Sequence, residues 1–324
     1  MTYSVFIGDV SLDEFFRADD WPAATGSKID LYPLGAHTGG MIANAAVVFA
    51  ALGGTARFLW SMNDSALSRS LLEDLEAQGV DTALVATDPS LADSRNIIVL
   101  AHGEHTVMTP TLGLNRIELG DAAMEALCGA QYVYTAIGDL RCLRHGEARA
   151  AQVLDRIRGA GALVVLDLDV ANVRDGDDEL IARTDVLLFN RRGFERYSAG
   201  RAGELVTDAL MANGTRAVVV TLGVGGCQVA DAQQRFAVPG IATDVVDVTG
   251  AGDTFGAALL YALNCTADLR AATTFANAAA ARAVTSLGAR AGAGSPADVV
   301  AFARSHGTGH LLDQFEPTIE RQAP

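Results

Sequence analysis

The chain has 324 residues, half of them hydrophobic, a composition that folds as about two domains or as one large α/β unit without a disulfide or metal staple. Its 24 Lys and Arg against 39 Asp and Glu give a formal charge of −15, which argues against broad contact with nucleic acid or an anionic membrane, since both need basic side chains to neutralise phosphates. Lys28 is the single lysine and lies between Ser27 and Ile29, so a Walker-type Gly-Lys-Ser/Thr loop is absent, and a protein-kinase strand lysine or a Schiff base would have to come from a turn-rich stretch. Bound phosphate would then be met by backbone N–H groups, arginines or a metal.

The N-terminus has no basic region and meets Asp9 early, so residues 3–10 read as a first strand, ending at Gly8-Asp9 with Asp13 beyond, and not as a signal peptide. Residues 15–38 hold Trp21-Pro22, Gly26 and Pro33 around a short β-like run at 28–34. A helix is predicted over 41–52, after Gly39-Gly40 and closed by Gly53-Gly54. A strand at 56–61, a helix at 65–78 and a strand at 80–86 follow, and such alternation predicts a parallel sheet flanked by helices. In residues 94–108 two β-like runs flank His102-Gly103 as a hairpin, which with 15–38 would make a small sheet apart from the body.

The alternation resumes with strands at 131–136, 162–167, 186–189 and 217–221, a helix at 143–158, and helices within 191–211. A hairpin at 225–238 and helices at 252–263, 269–287 and 296–306 complete the pattern. Cys128, Cys142, Cys227 and Cys265 form no C-x-x-C pair and read as reduced thiols. No apolar run approaches the ~20 residues of a membrane span, so a soluble, cytoplasmic protein is expected. The expected fold is a three-layer α/β/α body with a mostly parallel central sheet (1–14, 39–93 and 109–310), a β-sheet lid (15–38 and 94–108) and a loosely ordered tail (311–324).

The segment Asp244-Val-Val-Asp-Val-Thr-Gly-Ala-Gly-Asp-Thr-Phe carries the chemistry. An apolar strand end runs through Gly250-Ala251-Gly252 into an amphipathic helix, and such a junction offers unpaired N–H groups and the positive end of the helix dipole to an anion. An acid placed there would repel a bound phosphate unless it served the reaction, so Asp253 reads as a general base. The competing reading of Asp253 is a plain helix cap. A dinucleotide fingerprint fails because Phe255 stands where its third glycine belongs.

Residues 247–255 resemble the C-terminal signature D-T/V-T-G-A-G-D-x-F of the ribokinase-like, or PfkB, carbohydrate kinases, and Gly39-Gly-Met-Ile-Ala-Asn44 resembles their N-terminal Gly-Gly motif. Gly8-Asp9 with Asp13, Thr221-Leu-Gly-Val-Gly-Gly-Cys and Phe275-Ala-Asn-Ala follow in matching order, so the resemblance spans residues 3–306. It implies a ribokinase-like fold and an ATP- and Mg²⁺-dependent sugar kinase. Asp253 would be the base, with Gly250, Ala251 and Gly252 as the anion hole. Asp13, Gly39, Gly40 and Asn44 would hold sugar hydroxyls, and Asn190, Thr221, Gly223, Gly226 and Asn277 the nucleotide. Asp247 and Thr249 match positions that offer carbonyls to a monovalent cation, K⁺ among them. A nucleoside kinase and a non-catalytic sugar- or nucleotide-binding regulator are the alternatives.

One departure concerns magnesium. Where the family carries Asn-x-x-Glu, this chain has Asn190-Arg-Arg-Gly193, with Glu195 two residues later. Either Glu195 compensates, or Mg²⁺ is held mainly by water and nucleotide phosphates, the reading adopted here. Arg191 and Arg192 are candidate nucleotide contacts, Arg95 a candidate for a charged group on the substrate, and Asp167 or Asp169 a strand-end acid facing the substrate. An apolar lid face of Tyr32, Leu34, Ile97 and Val99 suggests a homodimer through the lid.

Overall fold

The computed structural model describes residues 2–21, 28–168, 173–290 and 294–315. Its centre is an eight-stranded sheet in the order Arg235–Val238, Cys227–Asp231, Ala217–Thr221, Val186–Asn190, Leu163–Leu168, Tyr132–Ala136, Ser4–Ile7 and Ala56–Leu59. From Ala217–Thr221 to Ala56–Leu59 every pairing is parallel, and the hairpin at the other edge adds the two antiparallel ones. Covered on both faces, the inner strands are largely apolar, as in the run Val164, Val165 and Leu166.

The helices Met41–Ala51 and Leu269–Ala283 both pack on Ala251–Cys265, and alanines at 45, 46, 257, 258, 276 and 279 let the backbones approach closely. Phe6 anchors this layer to the sheet, 5.3 Å from the ring of Phe49 and 5.6 Å from that of Tyr134. Asp9, Asp139, Asp167 and Thr221 therefore lie along the carboxyl edge of the parallel strands, where open α/β sheets bind ligands.

A separate four-stranded sheet has the order Tyr32–Gly39, Ser11–Arg17, Arg95–Ala101, Glu104–Met108. It begins at Ser11, within the segment expected to belong to the body, because the chain leaves the central sheet at Ile7 and at once pairs Ser11 with Gly39. His102 at φ 52° and Gly103 at φ 80° form the two-residue turn of its hairpin. Val99 is buried in a small cluster with Ala18 and Ala101, and Ile97 packs against it; the apolar side chains left exposed on this sheet include Tyr32, Leu34, Val107 and Met108. The expected outward face thus loses Val99 and Ile97.

Three expectations differ from the structure. Residues 80–86 make no continuous strand, since the Asp81 carboxylate accepts from the Ala83 N–H and turns the chain, leaving a bridge at Arg57–Asp81 and a two-residue strand at Ala86–Thr87. The helix expected over 143–158 begins only at Ala150, because Gly146 at φ 57° reverses the chain between the short strands Leu143–His145 and Ala148–Arg149. Leu312 and Phe315, expected in a loose tail, are buried, with Phe315 4.7 Å from the ring of Phe275; residues 316–324 lie outside the described residues. Among the described residues no helix is long and apolar enough to cross a membrane.

Candidate active site

Gly250 begins the helix Ala251–Cys265 at φ 75°, and a Cβ there would lie 2.3 Å from the Ala289 carbonyl oxygen. Glycine is required on both counts. The Ala251 N–H donates to Val248 O at 3.2 Å and Thr254 N–H to Gly250 O at 2.8 Å, so among the described residues the N–H groups of Gly252 and Asp253 have no acceptor. The leftover donors thus sit at the positive end of a 15-residue helix, and the side of Gly252 where a Cβ would stand is open. Asp247 locks the preceding loop by accepting from Thr249 N–H and Gly288 N–H, both at 2.9 Å. Burial raises that carboxyl, but these N–H groups prevail and hold it below the usual carboxylate range.

Asp253 Oδ2 accepts from Asn44 Nδ2 at 2.8 Å, which joins the two glycine-containing segments across 209 residues. Asn44 stands on the first turn of Met41–Ala51, entered through Gly40 at φ 97°, where a Cβ would lie 2.5 Å from Asp9 O. At Gly39 a Cβ would meet Asp13 Oδ2 at 2.0 Å. Asp13 Oδ1 accepts from Ser11 Oγ at 2.9 Å and from Asn96 Nδ2 at 2.8 Å, and Asn96 Oδ1 accepts from Thr109 Oγ1 at 2.8 Å. The small sheet therefore contributes Asp13 and Asn96, and the body Asn44 and Asp253. Arg290 completes the ring, its Nε donating to Asn44 Oδ1 at 2.8 Å.

The site is rich in acids that burial disfavours as anions. Asp253 is pushed up to about 7, first by burial and then by Asp167 and Asp9, against the lowering effect of Asn44 and Arg290. Asp9 is pushed up to about 6 by burial and by Asp13, and Asp139 lies well above the carboxylate range through burial and Asp9. Asp167 accepts from Tyr134 Oη at 2.8 Å. Asp169, the alternative strand-end acid, lies outside the described residues.

Two cavities lie near this site, one lined by Asp9, whose charge acts on Asp253, and one lined by Gly252. One, of about 650 Å³, is lined by Asp9, Trp60, Asp139, Arg141, Arg174 and the loop 109–115. The other, of about 520 Å³, has mainly apolar walls and includes Thr221, Gly223, Gly226, Ala251, Gly252 and Asn277. At Gly226, φ 84°, a Cβ would lie 2.0 Å from Val238 O, and Asn277 Nδ2 donates to Pro239 O at 3.0 Å, so the rim is fixed by close backbone contact.

Several sequence candidates stand apart. Asn190 caps the helix Arg191–Ser198 by accepting from Gly193 N–H at 2.7 Å and does not line the second cavity. Arg191 reaches Leu222 O at 3.4 Å, while Arg192 and Glu195 are exposed. Arg95 pairs with Glu14 at 3.6 Å on the small sheet. Among the described residues no group of three or more His, Cys, Asp or Glu side chains is arranged to hold a metal ion. No motif in the sequence marks Arg290 or Asn96, because each reaches Asn44 or Asp13 only through contacts that the fold creates.

Residues 1–296 match the family described as pfkB family carbohydrate kinase. The chain is 27% identical over 299 residues to a ribokinase of Bacillus subtilis (strain 168), covering 88% of this chain and 94% of the relative. It is 30% identical over 289 residues to the aminoimidazole riboside kinase of Salmonella typhimurium, covering 83% of this chain and 88% of that one. Arabidopsis thaliana ribokinase complexed with ribose and ATP superposes with a TM-score of 0.81 at 22% identity, over 93% of this chain and 99% of that one. The chain belongs to the pfkB family of carbohydrate kinases, phosphotransferases that act on a hydroxyl acceptor.

Proposed function

We propose that this protein transfers the γ-phosphoryl group of ATP to a hydroxyl of a sugar or of a ribose-bearing nucleoside, with Asp253 as the general base. The observation that carries this reading is a buried Asp253 at a helix start with donors to spare, bonded to Asn44 and next to Gly252, which lines the second cavity. A non-catalytic binder has no use for an acid at that point.

The acceptor's hydroxyls are held by Asp13, Asn44 and the backbone at Gly39 and Gly40, next to Asp9, which lines the neighbouring cavity. Carboxylates and an amide supply the acceptors and donors that hydroxyls need. The adenine and ribose of ATP lie along Thr221, Gly223, Gly226 and Asn277, with Asn190 shaping the neighbouring turn. Asp253 removes the acceptor's proton as its oxygen bonds to the γ-phosphorus and the bond to the β-phosphate oxygen breaks, releasing ADP. A base titrating near 7 is matched to work at neutral pH. The helix end through Gly250, Ala251 and Gly252 stabilises charge on the transferring group.

Magnesium, held by the phosphates and water, neutralises the nucleotide's charge when bound. Because the Asp247 carboxylate is occupied by two backbone N–H groups, the neutral carbonyls of Asp247 and Thr249 are the donors left for a monovalent cation such as K⁺. The small sheet serves as a lid that excludes water, and its exposed Tyr32, Leu34, Val107 and Met108 pair with a second copy as a homodimer.

An ADP-release assay with ATP and a panel of D-ribose, D-fructose, 2-keto-3-deoxygluconate, sugar phosphates and ribosides tests the reading. ADP formed together with an equal amount of phosphorylated acceptor is expected for at least one class. ADP release that no acceptor stimulates would contradict it.

A further inference from the structure

Arg290 follows the helix Leu269–Ala283 and its connecting loop, and its side chain is 13% exposed. Nε donates to Asn44 Oδ1 at 2.8 Å, Nη1 to Asp74 Oδ2 at 2.8 Å and to Thr38 Oγ1 at 3.2 Å, and Nη2 to Gly39 O at 3.4 Å. One guanidinium thus binds the helix bearing Asn44, the helix Ala66–Ala77 through Asp74, and the end of the lid strand Tyr32–Gly39.

The chemistry of the two groups fixes their orientation. A guanidinium carries only donors, whereas a carboxamide has a donor end and an acceptor end. With Arg290 on one side of Asn44, its oxygen must face Arg290 and its NH₂ must face Asp253; a flipped amide would set donor against donor at Arg290 and oxygen against carboxylate at Asp253. Asp74 in turn holds the fork in place.

We propose that Arg290 is a positioning residue for phosphoryl transfer: it locks the Asn44 amide in the orientation that donates to Asp253 and supplies the positive charge that keeps the Asp253 carboxylate available as a base. This deepens the reading of Asp253 given above and rests on it. The charges around Asp253 are opposed, with Asp167 and Asp9 against it and Arg290 alone among these three in its favour. Arg290 itself is pressed below its ordinary range by burial, while Asp74, Asp253 and Asp13 pull it back up.

The test compares wild type with Arg290→Met and Arg290→Lys. With ATP and D-ribose, or the best acceptor of the panel, Arg290→Met is expected to lower kcat by ~10- to 100-fold and to move the acidic limb of kcat/KM upward by about one pH unit. Arg290→Lys retains charge but not the fork, so its limb stays near wild type while kcat falls by ~10-fold. A substrate-free readout is the pH dependence of Tm. A carboxyl raised in the folded state stabilises fully below its unfolded value and loses that contribution as pH rises through its folded value. Arg290→Met is expected to extend this loss to higher pH, and the extension should vanish when Asp253→Asn is present in both proteins. A Tm lowered equally at every pH, with an unmoved kinetic limb, would show Arg290 to be merely structural and overturn the proposal. Absence of phosphorylation in wild type would count against Asp253 as a base, whereas the Tm course would still read the Arg290–Asp253 coupling.

Discussion

As the proposed base, Asp253 faces two demands that conflict: it must be buried enough to exclude water and charged enough to accept a proton. Burial wins part of that contest and raises its carboxyl to about 7, while Asn44 and Arg290 limit the rise. The pH profile of kcat/KM is therefore expected to fall below about 7 as Asp253 becomes protonated, with Asp9, raised to about 6, adding to the drop. Activity that stays level down to pH 5 would argue against this assignment. The same shifts act on stability with the opposite sense. Both acids are raised, so their contribution is complete below the ordinary value of 3.8 and declines as pH rises through 6 to 7. Tm measured from pH 4 to 8 should show that decline, flatter in Asp253→Asn. Asp253 was legible in sequence because a helix start needs only local residues to be recognised. Arg290 was not, since its bond to Asn44 spans 246 residues and no local pattern records it.

At the scale of elements, the glycines that matter are those where a side chain would strike backbone. Gly226 is such a position, at φ 84° and with Val238 O 2.0 Å from where a Cβ would be. Gly226→Ala is expected to raise KM for ATP by ~10-fold and to cost ~1–3 kcal/mol of stability, read by nucleotide titration and denaturant unfolding. An unchanged KM would remove this loop from the nucleotide site. The 247–250 loop carries a second expectation: replacing KCl by tetramethylammonium chloride should lower kcat several-fold, and equal rates in the two salts would dismiss the cation. Periodicity gave the main strands and the three helices around the site, because buried parallel strands and long apolar helix faces leave strong patterns. It failed at 143–158, where Gly146 divides what reads as one helix, and at 80–86, where the Asp81 side chain turns an apolar run.

For the molecule as a whole, the charge of −15 is compatible with binding phosphate because the proposed phosphate contacts are backbone N–H groups and a helix end, with a single lysine in the chain. Two sheets meet at the site, one contributing Asp13 and Asn96 and the other its strand-end acids. The small sheet's apolar surface at Tyr32, Leu34, Val107 and Met108 should make the mass by sedimentation that of a dimer, and Leu34→Arg with Val107→Arg should shift it toward monomer. The two-sheet design was visible in the interruptions at 15–38 and 94–108, but the point where the chain crosses between sheets was not, because strand Ser11–Arg17 continues directly from the first strand.

The central claim is that Asp253 takes the proton from an acceptor hydroxyl during transfer from ATP. It is tested most directly by following ADP and phosphorylated acceptor together in wild type and in Asp253→Asn, with Tm as the check on folding. The account predicts equal amounts of the two products in wild type and a kcat lower by ~10²–10⁴ in the variant at similar Tm. A variant that turns over at the wild-type rate would contradict it.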